Sequence, residues 1–409
     1  MKVAYILYNE RPMSGLLSGQ VIEMLCELVR GQKNLELTVI CFWQPFLLVT
    51  AKKDIEEMVS IFASADICVE NYYICPPNRL FSANKYLFKI LSSLCVPIFR
   101  RIIGTRFSVV HCRAYYASFF ASKIRTEMDF KLIFDMRSLF PDEMLASGKV
   151  AIDSSQYLLW KGIEQTILES SDYSIVVSRA MGDAVRKICP SSKVEHIPLC
   201  VDTKTHVGSL QARAEIRKEF EVSQSRIIAY CGSLTLDFNN DINEYARYIS
   251  AIYSEFNDTH FMIITQTTSL RVKEIICSEC ISEKNVTVVQ AQGNKLFEIL
   301  SCCDAGIFVM KPGADRDTRL GVKFVEYLAA GLPVIANVNV GAAAEIIKDS
   351  GLGVVLDLDT DTNIRSTIEN MFADEPRMRE RCRDFAVANF DTKTVASRYR
   401  SLYRKDCVN

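Results

Sequence analysis

The stretch RLGVKFVEYLAAGLPVIANVNVG, Arg319 to Gly341, brings together residue types that can do chemistry. Lys323 and Glu326 stand three apart, so on a helix they share a face. Gly321 comes just before them. A helix start offers unpaired amide hydrogens and the positive end of its dipole, and with a lysine beside it suits a phosphate. The same Lys–Glu pair could also be a solvated surface pair, the commoner fate of this spacing.

The elements that must position these residues can be read around them. Gly331 stands where a left-handed cap ends a helix, and Pro333 blocks its continuation. Val334, Ile335 and Ala336 then read as a buried strand. The same alternation runs through the chain. KVAYILY, LELTVICFW, DICVENY, SVVHCR, KLIFDMR and YSIVVS are strand-like in the first half; RIIAYCG, THFMIIT, NVTVVQA, AGIFVM, LPVIAN and GLGVVLD are strand-like in the second. Apolar runs separated by helical patterns predict parallel sheets covered on both faces. The pattern pauses at HIPLCVDTKTHVGS, residues 196–209, which reads as a linker. The expected fold class is α/β, with two doubly wound, Rossmann-like domains facing across a cleft. The first spans 1–198, with a basic terminal helix over 391–409 packing back on it, and the second spans 199–390. In such folds ligands sit outside the carboxyl ends of the strands. This draws attention to His111, ending VVHCR, to Asp135 and Arg137, ending KLIFDMR, and to the loop NERPMSGLLSGQV, where Gly15 and Gly19 allow close backbone approach. Asp135 and Arg137 could equally fix their own loop, and a lone histidine is often a packing residue.

Composition narrows the function. The 409 residues, 49% of them hydrophobic, supply two cores, and a net charge of −1 gives no polyanion-binding signature, so no nucleic-acid partner is expected. There is no G-x-G-x-x-G and no G-x-x-x-x-G-K-[ST], which disfavours a nicotinamide dinucleotide fold and a P-loop ATPase. Of the 15 cysteines, most lie in apolar runs; Cys277 and Cys280 form a lone C-x-x-C in a helical pattern, and no metal site is expected. The apolar start at Val3–Tyr8 is too short for a signal peptide, and Ile90–Phe99 is too short to span a bilayer, so a cytoplasmic protein is expected. One local feature stands out. Between Glu70 and Glu127 no acid occurs, while nine Lys or Arg are interleaved with aromatics. Residues 71–126 therefore read as a face for anionic lipid headgroups or as a solvated basic surface.

GVKFVEYLAAGLPVIANVNVG resembles the donor-binding segment of family 4 retaining glycosyltransferases, which have the GT-B fold. VVHCR resembles the family strand bringing a histidine or arginine to the cleft. LIFDMRSLFPDE resembles a stretch of bacterial surface-polysaccharide transferases, and IVVSRAM with IPLCVDT resembles the entry to the linker. The resemblance covers nearly the whole chain. It implies transfer of a hexose from a nucleotide sugar, UDP- or GDP-linked, with no metal or other cofactor. The acceptor implied is a membrane-held or anionic glycan or lipid, at a cytoplasmic or peripheral membrane location. It further implies that Glu326 holds the ribose, that Gly321, Val322 and Lys323 meet the diphosphate, that Gly341 opens a second helix near the donor, and that Gln292 lies in the base loop. His111, Asp135 and Arg137 become the catalytic-side residues, with Gly15, Gly19 and Glu143 on the acceptor-side loops.

The chain departs from the family pattern at two positions. Thr318 stands eight before Glu326, where members often have a glutamate on the sugar, and Ser233 stands where many have an arginine on the diphosphate. No Lys or Arg occurs between Arg226 and Arg247. Arg319 and Lys323 are the expected substitutes, unless Arg316 and Arg319 pair with Asp315 and Asp317. Two other classes stay open: a nucleotide-sugar epimerase of the same fold, and a non-catalytic nucleotide-sugar-binding protein.

Overall fold

The computed structural model describes residues 1–76, 85–204, 210–222, 226–234, 242–278 and 281–405. They form two compact units, Met1–Pro198 with Val395–Asn409, and Leu199–Thr394.

The first unit is built on β1 (Lys2–Tyr8), β2 (Glu36–Phe42), β3 (Cys68–Tyr72), β4 (Val109–Arg113), β5 (Lys131–Asp135), β6 (Tyr173–Val176) and β7 (Val194–His196). All pairs are parallel, in the order β3-β2-β1-β4-β5-β6-β7. Every residue of β1 after Lys2 is buried, because helices cover both faces and no side of the strand meets water. Each of the six apolar runs read from this half contains a strand. The seventh strand, β7, was not legible: its three residues, Val-Glu-His, are half-buried or exposed and form no apolar run. On one face the helices Lys85–Ile103, Ala114–Ile124 and Ser155–Ser170 meet through aromatic rings, with Phe88 against Phe119 and the fully buried Trp160. The last helix, Thr392–Arg404, closes against this unit: Arg400 donates to the carbonyls of Leu28, at 2.8 Å, and of Glu27.

The second unit has β8 (Arg226–Cys231), β9 (Thr259–Ile264), β10 (Val286–Val289), β11 (Ala305–Phe308), β12 (Val334–Asn337) and β13 (Gly353–Leu356), in the order β10-β9-β8-β11-β12-β13. Ile228, Phe261, Ile263, Ile307 and Ile335 lie in its core. In both sheets the strand order reverses beside the first strand, between β1 and β4 and between β8 and β11. These are the places where a doubly wound sheet leaves a crevice for a ligand.

Cys277 lies in the helix Ser269–Ser278, and Cys280 falls outside the described residues. Among the described residues no group of His, Cys, Asp and Glu could hold a metal ion, and no helix is long and apolar enough to cross a membrane.

Candidate functional site

At the reversal point of the second sheet, the helix Val322–Ala329 begins with Gly321 as its N-cap, at φ 74°. A β-carbon there would stand 2.3 Å from Phe308 Cζ, so only glycine lets the chain turn this tightly over the end of β11. The N-cap glycine has no side chain with which to cap the first-turn amides, which leaves the helix start suited to an anion. The helix is pinned by Tyr327, fully buried, whose hydroxyl accepts from the Cys231 amide at 2.7 Å and donates to the Ile307 carbonyl at 3.3 Å. One bond reaches β8 and the other β11, so the helix start is fixed to the two strands that flank the reversal.

Lys323 extends from this helix to the end of β8. Its Nζ donates to the Tyr230 hydroxyl at 3.2 Å and lies 5.0 Å from that ring's centre. The Tyr230 hydroxyl in turn donates to the Ser233 carbonyl at 3.0 Å. Gly232 makes the approach possible: a β-carbon there would fall 2.0 Å from Lys323 Cε. Burial pulls the Lys323 ammonium down to about 8, while the Glu326 carboxylate acts the other way. Glu326, half-buried on the same helix, accepts from the Cys231 thiol at 3.9 Å. Ser233 is exposed. Gln292, also exposed, is the N-cap of the helix Gly293–Cys302.

The loop from Val309 to Leu320 is where the arrangement differs from the expectation. Arg319 is buried, and its guanidinium is committed within its own loop. Nε and Nη2 donate to the Asp315 carboxylate at 3.1 and 2.7 Å, and Nη1 donates to the carbonyls of Lys311 and Asn339 at 2.6 and 3.3 Å. It is a loop staple and not a free cation for a diphosphate. Arg316 pairs with Asp317 in the open at 3.2 Å. Thr318 donates to the Asp315 carbonyl at 2.9 Å, so its hydroxyl also serves the turn. Gly341 faces this loop: a β-carbon on it would lie 2.5 Å from Asp317 Cα, and the nearby Ala343 amide donates to the Arg319 carbonyl at 3.2 Å. The loop backbone packs directly against Gly341, so this glycine serves the close approach of the loop to the start of the helix Gly341–Ser350. Asn337, missed in the sequence, holds the loop's other end: its amide donates to the Met310 carbonyl at 2.8 Å and its Oδ1 accepts from the Met310 amide at 3.3 Å. Its position at the end of the buried run VIAN was the available signal.

At the reversal point of the first sheet the charges are shut in. His111 lies in the middle of β4, fully buried, and not at the strand's end. Its Nδ1 is 2.7 Å from the Tyr403 hydroxyl of the terminal helix, and its Nε2 is 3.8 Å from Asp135. It therefore does not reach a sugar hydroxyl. Asp135 is also fully buried; Arg137 approaches it at 3.3 Å and Arg113 at 3.8 Å. Burial pushes the Asp135 carboxyl up, but Arg137, His111 and Arg113 together hold it down at about 2. Burial keeps His111 below the usual histidine range, partly offset by Asp135. Arg137 adopts φ 56°, which folds its side chain back over Asp135. Arg113, at the end of β4, closes on Glu10 at 3.1 Å. Gly15 and Gly19 are not in a loop: Gly15 opens a helical turn capped by Ser14, and Gly19 lies in the π-helical turn Ser18–Ile22. Glu143 sits half-exposed in the first turn of the helix Phe140–Ala146.

The acid-free stretch of the sequence is not free of acids in space. Arg100 pairs with Glu127 at 2.6 Å, Arg125 with Asp172 at 3.4 Å, and Arg106 with Glu70. Arg79 lies outside the described residues.

Two family models match the chain: "Glycosyltransferase Family 4" over residues 21–205 and "Glycosyl transferases group 1" over residues 225–374. A GDP-mannose-dependent alpha-(1-6)-phosphatidylinositol monomannoside mannosyltransferase of Mycobacterium tuberculosis is 24% identical over 224 residues, 53% of this chain and 57% of that protein. Its counterpart in Mycolicibacterium smegmatis is 25% identical over 221 residues, 52% and 56% of the two chains. The match thus spans a little over half the length of these relatives. Among solved structures, HepE of Anabaena with UDP and glucose superposes with TM-score 0.66 at 12% identity, covering 99% of this chain and 100% of that one. Sucrose-phosphate synthase of Thermosynechococcus elongatus gives 0.69 at 15%, covering 99% and 98%. WaaG, a glycosyltransferase involved in lipopolysaccharide biosynthesis, gives 0.62 at 13%, covering 98% and 100%.

Proposed function

Because the chain belongs to the family 4 glycosyltransferases of GT-B fold, we propose that it moves a hexose from a nucleotide sugar to a membrane-held or anionic glycan or lipid, with retention of the anomeric configuration. The observation that carries the reading is the Gly321-capped helix start with Lys323 and Glu326 one turn apart at the reversal point between β8 and β11. The amides of Val322 and Lys323 and the Lys323 ammonium receive the diphosphate. Glu326 accepts from the ribose hydroxyls, and the base lies towards Gln292. The bond from the anomeric carbon to the diphosphate breaks, and the bond to the acceptor oxygen forms on the same face. The acceptor proton passes to the departing phosphate oxygen. No protein carboxylate is needed for that step, so the chain contributes positioning and charge stabilisation.

The donor is UDP- or GDP-linked and no metal takes part. The name of the mycobacterial relatives, with a glycosylated phosphatidylinositol as acceptor, supports a lipid-borne acceptor in surface-polysaccharide or glycolipid synthesis, reached from the cytoplasmic side of the membrane. A thermal-shift panel of UDP-, GDP-, ADP- and CMP-sugars tests the reading, since a ligand that binds the folded state raises its stability. One UDP- or GDP-sugar should stabilise the protein well above the others, and slow release of its sugar should follow. No shift with any of them would overturn the proposal, and epimer formation without acceptor would replace it.

A further inference from the structure

The helix Lys85–Ile103 lies on the outside of the first unit with an unusual outer face. A surface helix ordinarily turns polar residues to water. Here Tyr86, Ile90 and Leu94 follow one another four apart and are 66%, 60% and 63% exposed, and Ile98 continues the row at 39%. The helix contains no acidic residue. Its inner face is a normal apolar one, with Phe88, Phe99 and Ile102 buried. Apolar residues therefore occupy both sides.

The ridge stands between two grooves. One, of about 740 Å³, is lined by Phe88, Val96, Phe119 and Leu159, with Lys89 and Lys123 as its charged residues and no carboxylate. The other, of about 560 Å³, is lined by Tyr72, Ile98, Ile102, Arg101 and Arg106. Most arginines of the neighbourhood are paired, as described above, but no ion pair joins Lys89, Arg101 or Lys123 to a carboxylate of the described residues. The arrangement is thus an aliphatic ridge with a phenol at one end and a cation in each flanking groove.

We propose that this face docks on the interfacial zone of an anionic lipid bilayer. The ridge from Ile90 to Ile98 lies at the acyl boundary, and Lys89, Arg101 and Lys123 meet the phosphates. Three chemical features select this partner. Exposed aliphatic area gives up water on insertion. Tyrosine and long basic side chains place an apolar body in the boundary and a polar tip in the headgroups. Cations without acids favour negative lipid and suppress nothing by repulsion. The proposal rests on the reading of a membrane-held acceptor, for which this surface supplies the approach.

Vesicle flotation tests it, with full-length protein on phosphatidylcholine alone and on phosphatidylcholine mixed with phosphatidylglycerol. Wild type should bind the mixed vesicles at least roughly tenfold more strongly, and less so in high salt. The exposed-face variant Ile90→Ser/Leu94→Ser should lose roughly tenfold on both vesicles. The variant Lys89→Glu/Arg101→Glu/Lys123→Glu should lose the preference for phosphatidylglycerol. Thermal stabilisation by the nucleotide sugar, measured on the same variants, should stay unchanged, which separates loss of docking from misfolding. Wild type that responds to the donor yet floats with neither vesicle overturns the docking and leaves the transferase reading standing. Two further results would also overturn it: a concentration-dependent dimer lost in Ile90→Ser/Leu94→Ser, or monomeric dihexanoyl phosphatidylglycerol bound as tightly as vesicles.

Discussion

At the reversal point of the first sheet, Asp135, His111, Arg113 and Arg137 face one another at 3.3 to 3.8 Å from Asp135, with the first three buried and the tyrosines of the terminal helix packed over His111. At the same point of the second sheet, the Lys323 ammonium donates to the Tyr230 hydroxyl and the Glu326 carboxylate accepts from the Cys231 thiol, and both residues are half-buried. Topology alone made both places candidates. What distinguishes them is how far the charges are shut away from a ligand: Asp135, His111 and Arg113 are buried, while Lys323 and Glu326 are only half-buried. A closed ionic cluster is held by its own members and contributes to the fold. A lysine pulled down by burial and a carboxylate with a weak thiol donor have more to gain from a ligand that brings opposite charge and hydroxyls.

The largest expected effect lies in the closed cluster. Asp135→Asn leaves Arg113, Arg137 and His111 facing a neutral amide inside the protein and should cost about 3–5 kcal/mol of stability, the range for breaking a buried pair. The pH dependence has a definite sign. The Asp135 carboxyl is held at about 2, below its ordinary 3.8, so its contribution is present above 3.8 and lost as pH falls through about 2. Lys323→Met, by contrast, removes a poorly solvated cation and should leave stability unchanged or raised. Urea denaturation of the two variants compares them directly, and similar losses in both would erase the distinction between the sites.

Arg319→Ala comes next. It strands the buried carboxylate of Asp315 and loosens the loop that leads into the Gly321 turn. A loss of about 3 kcal/mol in stability is expected, at the low end for a buried pair. Binding of nucleoside and nucleoside diphosphate should weaken together, because the whole helix start shifts. A selective loss for the diphosphate, with stability intact, would return Arg319 to direct contact with the ligand.

The sequence made the architecture legible because each strand is an apolar run bounded by helix signals; β7, three residues long with a glutamate and a histidine, gave none. The pair Lys323 and Glu326 was legible because helical spacing is local. The fate of His111 was not. It depends on Tyr403, 292 residues away, whose helix returns to cover β4. Arg319 illustrates a middle case: Asp315 four residues earlier was a visible partner, but the further bond to the carbonyl of Asn339, 20 residues on, was not. The acid-free interval was legible only in part for a similar reason: Glu70 and Glu127 flank it in sequence and fold onto Arg106 and Arg100, so which of its cations are paired was not visible.

Glu326→Gln sharpens the comparison at the open site. If the carboxylate accepts the ribose hydroxyls, losing its charge should weaken nucleotide affinity by about 1.5–3 kcal/mol, the range for hydrogen bonds to a charged group, while the fold is kept. Calorimetry with nucleoside and nucleoside diphosphate should show the loss in both, since both carry the ribose. Unchanged affinity for either would remove Glu326 from that role.

The smallest effect is the most specific to an open site. Burial has pulled Lys323 down to about 8, so in the free protein its charge disappears as pH rises through that value. A diphosphate attracts the protonated form, so binding must raise the group again and take up a proton when the free lysine is neutral. Between about pH 7 and about pH 9 the affinity for nucleoside diphosphate should fall roughly tenfold, the equivalent of about 1.4 kcal/mol. Affinity for the nucleoside, which brings no phosphate, should stay flat. Calorimetry in buffers of different ionisation enthalpy would show the proton uptake directly. Lys323→Met should bind the diphosphate weakly and without this pH dependence. If the wild-type profile is flat, or if the nucleoside follows the same curve, the ammonium does not face the phosphate, and the charge at the helix start must be met by its amides alone.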